Sequence, residues 1–408
     1  MPGCAARTST MLVSVFGRDQ PEITGSLFRQ LAAFDATVVD VEKMRTRDYI
    51  TLCAHITTPK ADGYAEGRLR AAVHDWAVSR ELHAEVTPSH GMDDEPSYER
   101  QRSHVAVVGH PLSARTTAMI SAKITGLGGT IERISPLARR PVTAVDFLVS
   151  GVDTKLLRAG LSAMAGEVGA DLAISEAGLS RRARRLVMMD VDSTLIQDEV
   201  IDLFAQHIGC GQQVAAITDA AMRGELDFQE SLRARVALLA GLDASVVDKV
   251  RAQVRLTPGA LTLVRTLQRL GYRVGVVSGG FMQVTSYLAQ HLNLDYNAAN
   301  TLEIQGGRIT GRLVGDIVDR AAKARLLTQY ARESGVPLAQ TVAIGDGAND
   351  LDMLNTAGLG VAFNAKPIVR AAAPATLSVP FLDSLLYLLG IPRAEAEVAQ
   401  SHEVLVAH

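Results

Sequence analysis

Leu186-Val187-Met188-Met189-Asp190-Val191-Asp192-Ser193-Thr194 runs four apolar residues straight into two carboxylates separated by a single valine. A short continuous apolar run of this kind reads as a strand buried on both faces, as in a parallel sheet. Like charges at the end of such a strand are stable mainly when a cation neutralises them or when one carboxyl keeps its proton. The stretch therefore points to chemistry, with a metal as the expected companion. A solitary Asp-x-Asp also serves turns and helix caps, so its meaning depends on the rest of the chain.

The pattern recurs twice downstream. Arg273-Val274-Gly275-Val276-Val277-Ser278-Gly279-Gly280 is a β-branched run ending in a hydroxyl and glycines. Thr341-Val342-Ala343-Ile344-Gly345-Asp346-Gly347-Ala348-Asn349-Asp350 is another, ending in a glycine-rich acidic turn. Between them Lys323 falls on a stretch with helical character from Asp319 to Ser334. In a parallel sheet such strand ends collect on one edge, where open α/β folds bind their ligands. Taken alone, Ser278 is a helix cap as readily as a ligand, Lys323 a solvated helix residue, and Gly345 and Gly347 turn glycines with positive φ. Their shared order along one chain argues for a single site.

On these motifs, residues 185–390 resemble the haloacid dehalogenase superfamily of phosphatases, most nearly its members that act on phosphoserine. The resemblance implies an α/β fold with a Rossmann-like parallel sheet over residues 183–392 and a helical cap over about 198–256. It implies a Mg²⁺-dependent phosphomonoester hydrolase in which Asp190 is the nucleophile and Asp192 the general acid/base. Ser278, Gly279, Gly280, Lys323 and Asn349 would hold the phosphoryl group; Asp190, Asp192 (by its carbonyl), Asp346 and Asp350 would serve the metal. The chemistry is consistent with this: Mg²⁺ takes carboxylate, carbonyl and water oxygens, and phosphoryl transfer requires mostly positioning and charge neutralisation.

Helical periods at Glu199–Phe204, Val214–Met222 and Phe228–Leu239 mark the cap, which would exclude water during turnover. Within it the resemblance places the substrate ammonium at Glu199 and its carboxylate at Arg235, with Met222 and Phe228 as an apolar wall. An acid for an ammonium and a planar guanidinium for a carboxylate suit a zwitterion. The expected substrate is O-phospho-L-serine, and the expected products are serine and phosphate. A phosphatase acting on phosphoproteins, a phosphotransferase, and an inactive regulatory protein are the competing readings.

The first 180 residues contain a weak internal repeat. Val13-Ser14-Val15-Phe16-Gly17 has its counterpart in Val105-Ala106-Val107-Val108-Gly109, and each copy continues in the order strand, helix, strand, strand, helix, strand. That is the ferredoxin-like order. Two α+β domains are expected, at 1–92 and 101–178, joined by the acidic segment Gly91–Arg100. They resemble tandem ACT domains, which implies an amino-acid effector such as serine. Gly17, Asp19 and Gly109 are the candidate regulatory residues, with Asp19 facing an ammonium and helix N–H groups a carboxylate. Open sheet edges suggest a homodimer.

Composition agrees with a multidomain enzyme. At about 150 residues per domain, 408 residues allow two or three cores. A net charge of −3 argues against a nucleic-acid binder, and Arg181-Arg182-Ala183-Arg184-Arg185 reads as a solvated connector. Three cysteines without paired spacing indicate neither disulfides nor a zinc site. No apolar run reaches membrane-spanning length and no secretory signal is evident, so a cytoplasmic protein is expected. The tail 393–408 carries no motif.

Overall fold

The computed structural model describes residues 8–59, 63–89, 101–178, 186–222 and 225–396. The expected linker Gly91–Arg100, the arginine run at 181–185 and the tail from 397 lie outside the described residues, as do the side chains at 63–65, 165 and 222. The chain divides into two compact units, which part between residues 98 and 99.

The first unit is a four-stranded antiparallel sheet of β1 (Thr8–Arg18), β2 (Thr37–Thr46), β3 (Tyr49–Pro59) and β4 (His83–Pro88), in the order β2-β3-β1-β4. Residues alternate faces along a strand, so Val13 and Val15 of β1 and Leu52 and Ile56 of β3 reach one core with Leu27 and Trp76 from two helices. The indole N–H of Trp76 donates to Ser26 Oγ at 3.1 Å, which satisfies its one polar atom inside that core. The ferredoxin-like order read from the repeat is present.

The glycine there has a different reason from the one expected. Gly17 lies inside β1, not in a turn, and a Cβ on it would sit 2.4 Å from a Leu82 methyl. Gly109 ends β5 (Arg102–Gly109) with its backbone against Leu112. At both positions the close approach is to the chain itself. Asp19 is paired with Arg45 at 3.1 Å and Lys43 at 3.9 Å.

In the second unit, β5, β6 (Thr130–Ala138), β7 (Thr143–Ser150) and β8 (Asp171–Glu176) repeat the same sheet in the order β6-β7-β5-β8. One face buries Val105, Val107 and Phe147 against its own helices. On the opposite face Ala106, Val108 and Ala144 join an apolar cluster with Leu385 and Leu386 near the end of the chain. Buried Asp171 accepts hydrogen bonds from Thr376 Oγ1 at 2.9 Å and the Ser378 N–H at 2.7 Å, docking this sheet on the edge of the next.

That next sheet has seven strands: β9 (Leu186–Met189), β10 (Arg273–Phe281), β11 (Tyr296–Gln305), β12 (Arg308–Val314), β13 (Thr341–Gly345), β14 (Leu359–Phe363) and β15 (Ala375–Leu377). Their order is β12-β11-β10-β9-β13-β14-β15, with β12 alone antiparallel to its neighbour. β9 is central, and Val187 lies opposite Val274 on one side and Val342 on the other. All four residues of β9 are fully buried. The three predicted motifs therefore finish side by side on the same edge.

The crossover from β9 to β10 carries helices Val200–Ile208, Gly211–Met222, Phe228–Ala237, Val246–Gln253 and Ala260–Arg269. The last two were not foreseen, nor was the β11–β12 hairpin that supports the cap. Its turn, Gly306-Gly307, has positive φ at both residues, the signature of a two-residue hairpin and a signal present in the sequence. Gly241 N–H donates to Ile309 O, Ile309 N–H to Leu242 O, and Ala244 N–H to Gly307 O. Among the described residues no helix is long and apolar enough to cross a membrane.

Candidate active site

Asp190 leaves the central strand with its backbone N–H still bonded to Ile344 O of β13, at 2.9 Å. Its Oδ1 accepts from the Val191 N–H at 2.8 Å and lies 2.9 Å from Lys323 Nζ. Lys323, on the helix Arg320–Glu333, is 0% exposed and donates to Asp350 Oδ1 at 2.6 Å as well. The solvated reading of this lysine is therefore overturned: it is buried because two carboxylates partner it.

Asp350 is held by the turn predicted after β13. Gly347 N–H donates to its Oδ2 at 3.0 Å. Neither Gly345 nor Gly347 has positive φ. A Cβ on Gly345 would lie 2.4 Å from the Asp350 carboxyl carbon, and one on Gly347 would lie 2.0 Å from Asn349 Oδ1. Gly345 leaves no room for a Cβ because Asp350 folds over it, and a Cβ on Gly347 would displace the Asn349 side chain. Asp346 is fixed from β9's loop, accepting from Thr194 Oγ1 at 3.1 Å.

One oxygen from each of Asp190, Asp346 and Asp350 falls within 4.8 Å of the others. Three carboxylates against the single Lys323 ammonium leave two negative charges, which one divalent cation balances. The all-oxygen donor set suits a hard cation. Electrostatics report the same deficit. Burial pushes Asp190 well above the ordinary carboxylate range, repulsion from Asp350 adds to it, and Lys323 only partly opposes. Asp346 is pushed up to about 7 by burial and then by Asp350. For Lys323, burial alone would depress the ammonium, but Asp190 and Asp350 outweigh it and hold the group above its usual value.

Asp192 sits in a backbone kink in which Ser193 adopts φ 54°. Its Oδ1 accepts from the Val200 N–H at 2.8 Å, the start of the first cap helix, and its Oδ2 accepts from Ser278 Oγ at 3.3 Å. Burial first, then the nearby Glu199, raises its carboxyl to about 7. A group so poised can give and take a proton near neutrality. Ser278 is fully buried and its Oγ accepts from the Gly280 N–H at 2.8 Å. The following helix begins at Met282 without a side-chain cap, so capping is not the role of Ser278.

Glu199 accepts from Ser193 Oγ at 2.8 Å, and its carboxyl is raised chiefly by burial, with Arg235 lowering it. Arg235 is half-buried on Phe228–Ala237, its guanidinium held below the usual value by desolvation and raised by Glu199. Phe228 Cζ lies 3.2 Å from where a Gly279 Cβ would be, so the cap rests directly over the Ser278 loop. Asn349 is half-buried on the turn Ala348–Asp350. The Met222 side chain lies outside the described residues. Sequence reasoning missed Thr194, although the hydroxyl two residues after Asp192 was visible.

Residues 187–355 match haloacid dehalogenase-like hydrolases, and residues 9–87 and 102–175 each match ACT domains. A phosphoserine phosphatase of Streptomyces coelicolor is 62% identical over 400 residues, 97% of this chain and 97% of that protein. A phosphoserine phosphatase of Mycobacterium tuberculosis is 45% identical over 402 residues, 96% of each. The crystal structure of a probable phosphoserine phosphatase from Vibrio cholerae, in unliganded form, is 34% identical with a TM-score of 0.54, covering 73% of this chain and 88% of that one. The chain belongs to the phosphoserine phosphatase family of haloacid dehalogenase-like hydrolases.

Proposed function

We propose that the protein hydrolyses O-phospho-L-serine to L-serine and phosphate, the last step of serine biosynthesis, through an aspartyl-phosphate on Asp190. The observation that carries this reading is the convergence of Asp190, Asp350 and buried Lys323 beneath a cap that presents Glu199 and Arg235. Asp190 Oδ1 is anchored to Val191 N–H and Lys323, which leaves Oδ2 to attack phosphorus. Asp192, bonded to the first cap helix and to Ser278, protonates the leaving serine oxygen and then takes a proton from the water that hydrolyses the acyl phosphate. Lys323, Ser278 and the N–H groups around Gly279 hold the phosphoryl oxygens, with Asn349 beside them. Asp190, Asp346, Asp350 and the Asp192 carbonyl would hold Mg²⁺, which when bound supplies charge neutralisation for the phosphoryl group.

Phosphate release from O-phospho-L-serine, with Mg²⁺ and with chelator, tests the reading; turnover unaffected by chelator removes the metal from it. Arg235→Ala separates substrate recognition from chemistry. Loss of a charge-assisted contact to the substrate carboxylate is expected to lower kcat/KM for phosphoserine roughly hundredfold while leaving an aryl phosphate within about threefold. Equal losses on the two substrates would take Arg235 out of recognition.

The acidic cluster also sets a pH dependence. In metal-free protein burial raises the carboxyls of Asp192 and Asp346 to about 7, so between about pH 4 and 7 these two groups hold more protons in the folded chain than in the unfolded one. Stability present in acid is then lost as pH rises toward 7. The melting temperature of chelated protein should fall between about pH 5 and pH 8, and Mg²⁺ should restore most of the loss at the upper end. A melting temperature that climbs over that range without metal contradicts the arrangement.

The ACT domains support regulation by an amino acid such as serine, with Gly17, Asp19 and Gly109 near the strand ends concerned. In the first domain, Glu22 begins the helix Ile23–Ala32 without a side-chain cap, leaving N–H groups for a carboxylate. Asp19, paired with Arg45, would have to exchange that partner for a ligand ammonium. A homodimer is supported by β2, an edge strand exposed along all its residues, with Val38, Val41 and Met44 facing outward. A biosynthetic enzyme of this type is expected in the cytoplasm.

A further inference from the structure

The parallel ladder between β10 and β11 runs from Gly275 opposite Tyr296 to Val277 opposite Ala298, breaks, and resumes with Phe281 opposite Asn300. Ser278, Gly279 and Gly280 bulge out of the sheet against the single residue Ala299. The bulge turns Ser278 toward Asp192, and it takes the Gly279 carbonyl out of the ladder. A carbonyl that loses its ladder partner in this half-buried loop needs a replacement. The Asn300 side-chain amide supplies it: Nδ2 donates to Gly279 O at 2.8 Å. The other end of the amide is also used, because Oδ1 accepts from the Val318 N–H at 2.9 Å, and the residue is 2% exposed.

The two bonds lead to two phosphate-holding elements. Gly279 C=O and Gly280 N–H belong to one peptide plane, and that N–H is the group that donates to Ser278 Oγ. Fixing the carbonyl fixes the plane and with it the serine hydroxyl. Val318 immediately precedes Asp319, whose carboxylate accepts from Ala322 N–H and caps the helix that carries Lys323. One side chain thus ties the Ser278 loop to the start of the Lys323 helix. The amide donates to Gly279 and accepts from Val318 at once; a carboxylate cannot donate, and alanine leaves both backbone groups without that partner, the Val318 N–H in a buried position.

We infer that Asn300 is a positioning residue for phosphoryl transfer, setting the spacing between the Ser278 loop and Lys323 without touching substrate. This rests on the reading of those groups as the phosphate site. Full-length Asn300→Asp, which keeps size and the acceptor but loses the donor, and Asn300→Ala test it. Both should lower kcat/KM for O-phospho-L-serine by roughly tenfold to a hundredfold, and orthovanadate, which mimics the five-coordinate phosphorus, should bind more weakly by a similar factor. A kcat reduced with KM and orthovanadate inhibition unchanged means only a smaller folded fraction and overturns the inference. So do activities within about twofold of the parent, or failure of both variants to fold. If the parent protein does not turn over phosphoserine, the substrate reading fails instead, and the same comparison on an aryl phosphate still decides the role of Asn300.

Discussion

Asp190→Asn is expected to reduce phosphate release from O-phospho-L-serine by at least about a thousandfold, with no phospho-enzyme trapped on acid quench. The amide matches the carboxylate in size, so packing around β9 should survive. Its oxygen can still accept from the Val191 N–H, the contact now made by Asp190 Oδ1. It cannot attack phosphorus as an anion, however, and it removes a negative charge from the cluster that Lys323 partly neutralises and that is proposed to hold Mg²⁺. Fewer carboxylates in the cluster should also weaken Mg²⁺ stabilisation of the fold, which a thermal shift with and without metal reads independently of activity. Turnover comparable to the parent would refute a covalent intermediate on this residue.

Lys323→Met should be nearly as damaging, and should harm folding as well as rate. The ammonium is 0% exposed and joins Asp190 at 2.9 Å to Asp350 at 2.6 Å, so methionine leaves both carboxylates buried without their cation. Removing one member of a buried ionic group costs about 3–5 kcal/mol, and loss of the proposed contact to the phosphoryl group is expected to add roughly a hundredfold or more in kcat/KM. The stability deficit should shrink as pH falls, because protonated carboxyls no longer need the lysine; a denaturant series at two pH values shows this. An unchanged midpoint with activity within about threefold would mean that the lysine is not the counter-charge.

Much of this site was legible because it is written in short segments. Leu186–Met189, Val274–Val277 and Val342–Ile344 are short apolar runs, which marks strands buried in a parallel sheet, and the polar residues that follow each must then share its carboxyl edge. The ferredoxin-like repeats were legible for the same reason, from the alternation of elements along the chain. The helix Val246–Gln253 was missed because only Val246, Val247 and Val250 are apolar and buried, a stripe too short to stand out. The alternative of a positive-φ turn at Gly345 and Gly347 does not hold: their small size admits Asp350 and Asn349, a matter of contact and not of φ.

Hydrophobic period and motif spacing are local properties, so the order of elements and the meeting of Asp190, Ser278 and Asp346 on one sheet edge are readable along the chain. The burial of Lys323 between two carboxylates, the Asn300 amide at the Gly279 carbonyl and the docking of the second ACT domain on β15 through Asp171 arise from long-range packing. Each of these is a hydrogen bond or ion pair between residues many positions apart. Whether such partners meet depends on how finished elements pack, and no single segment encodes it.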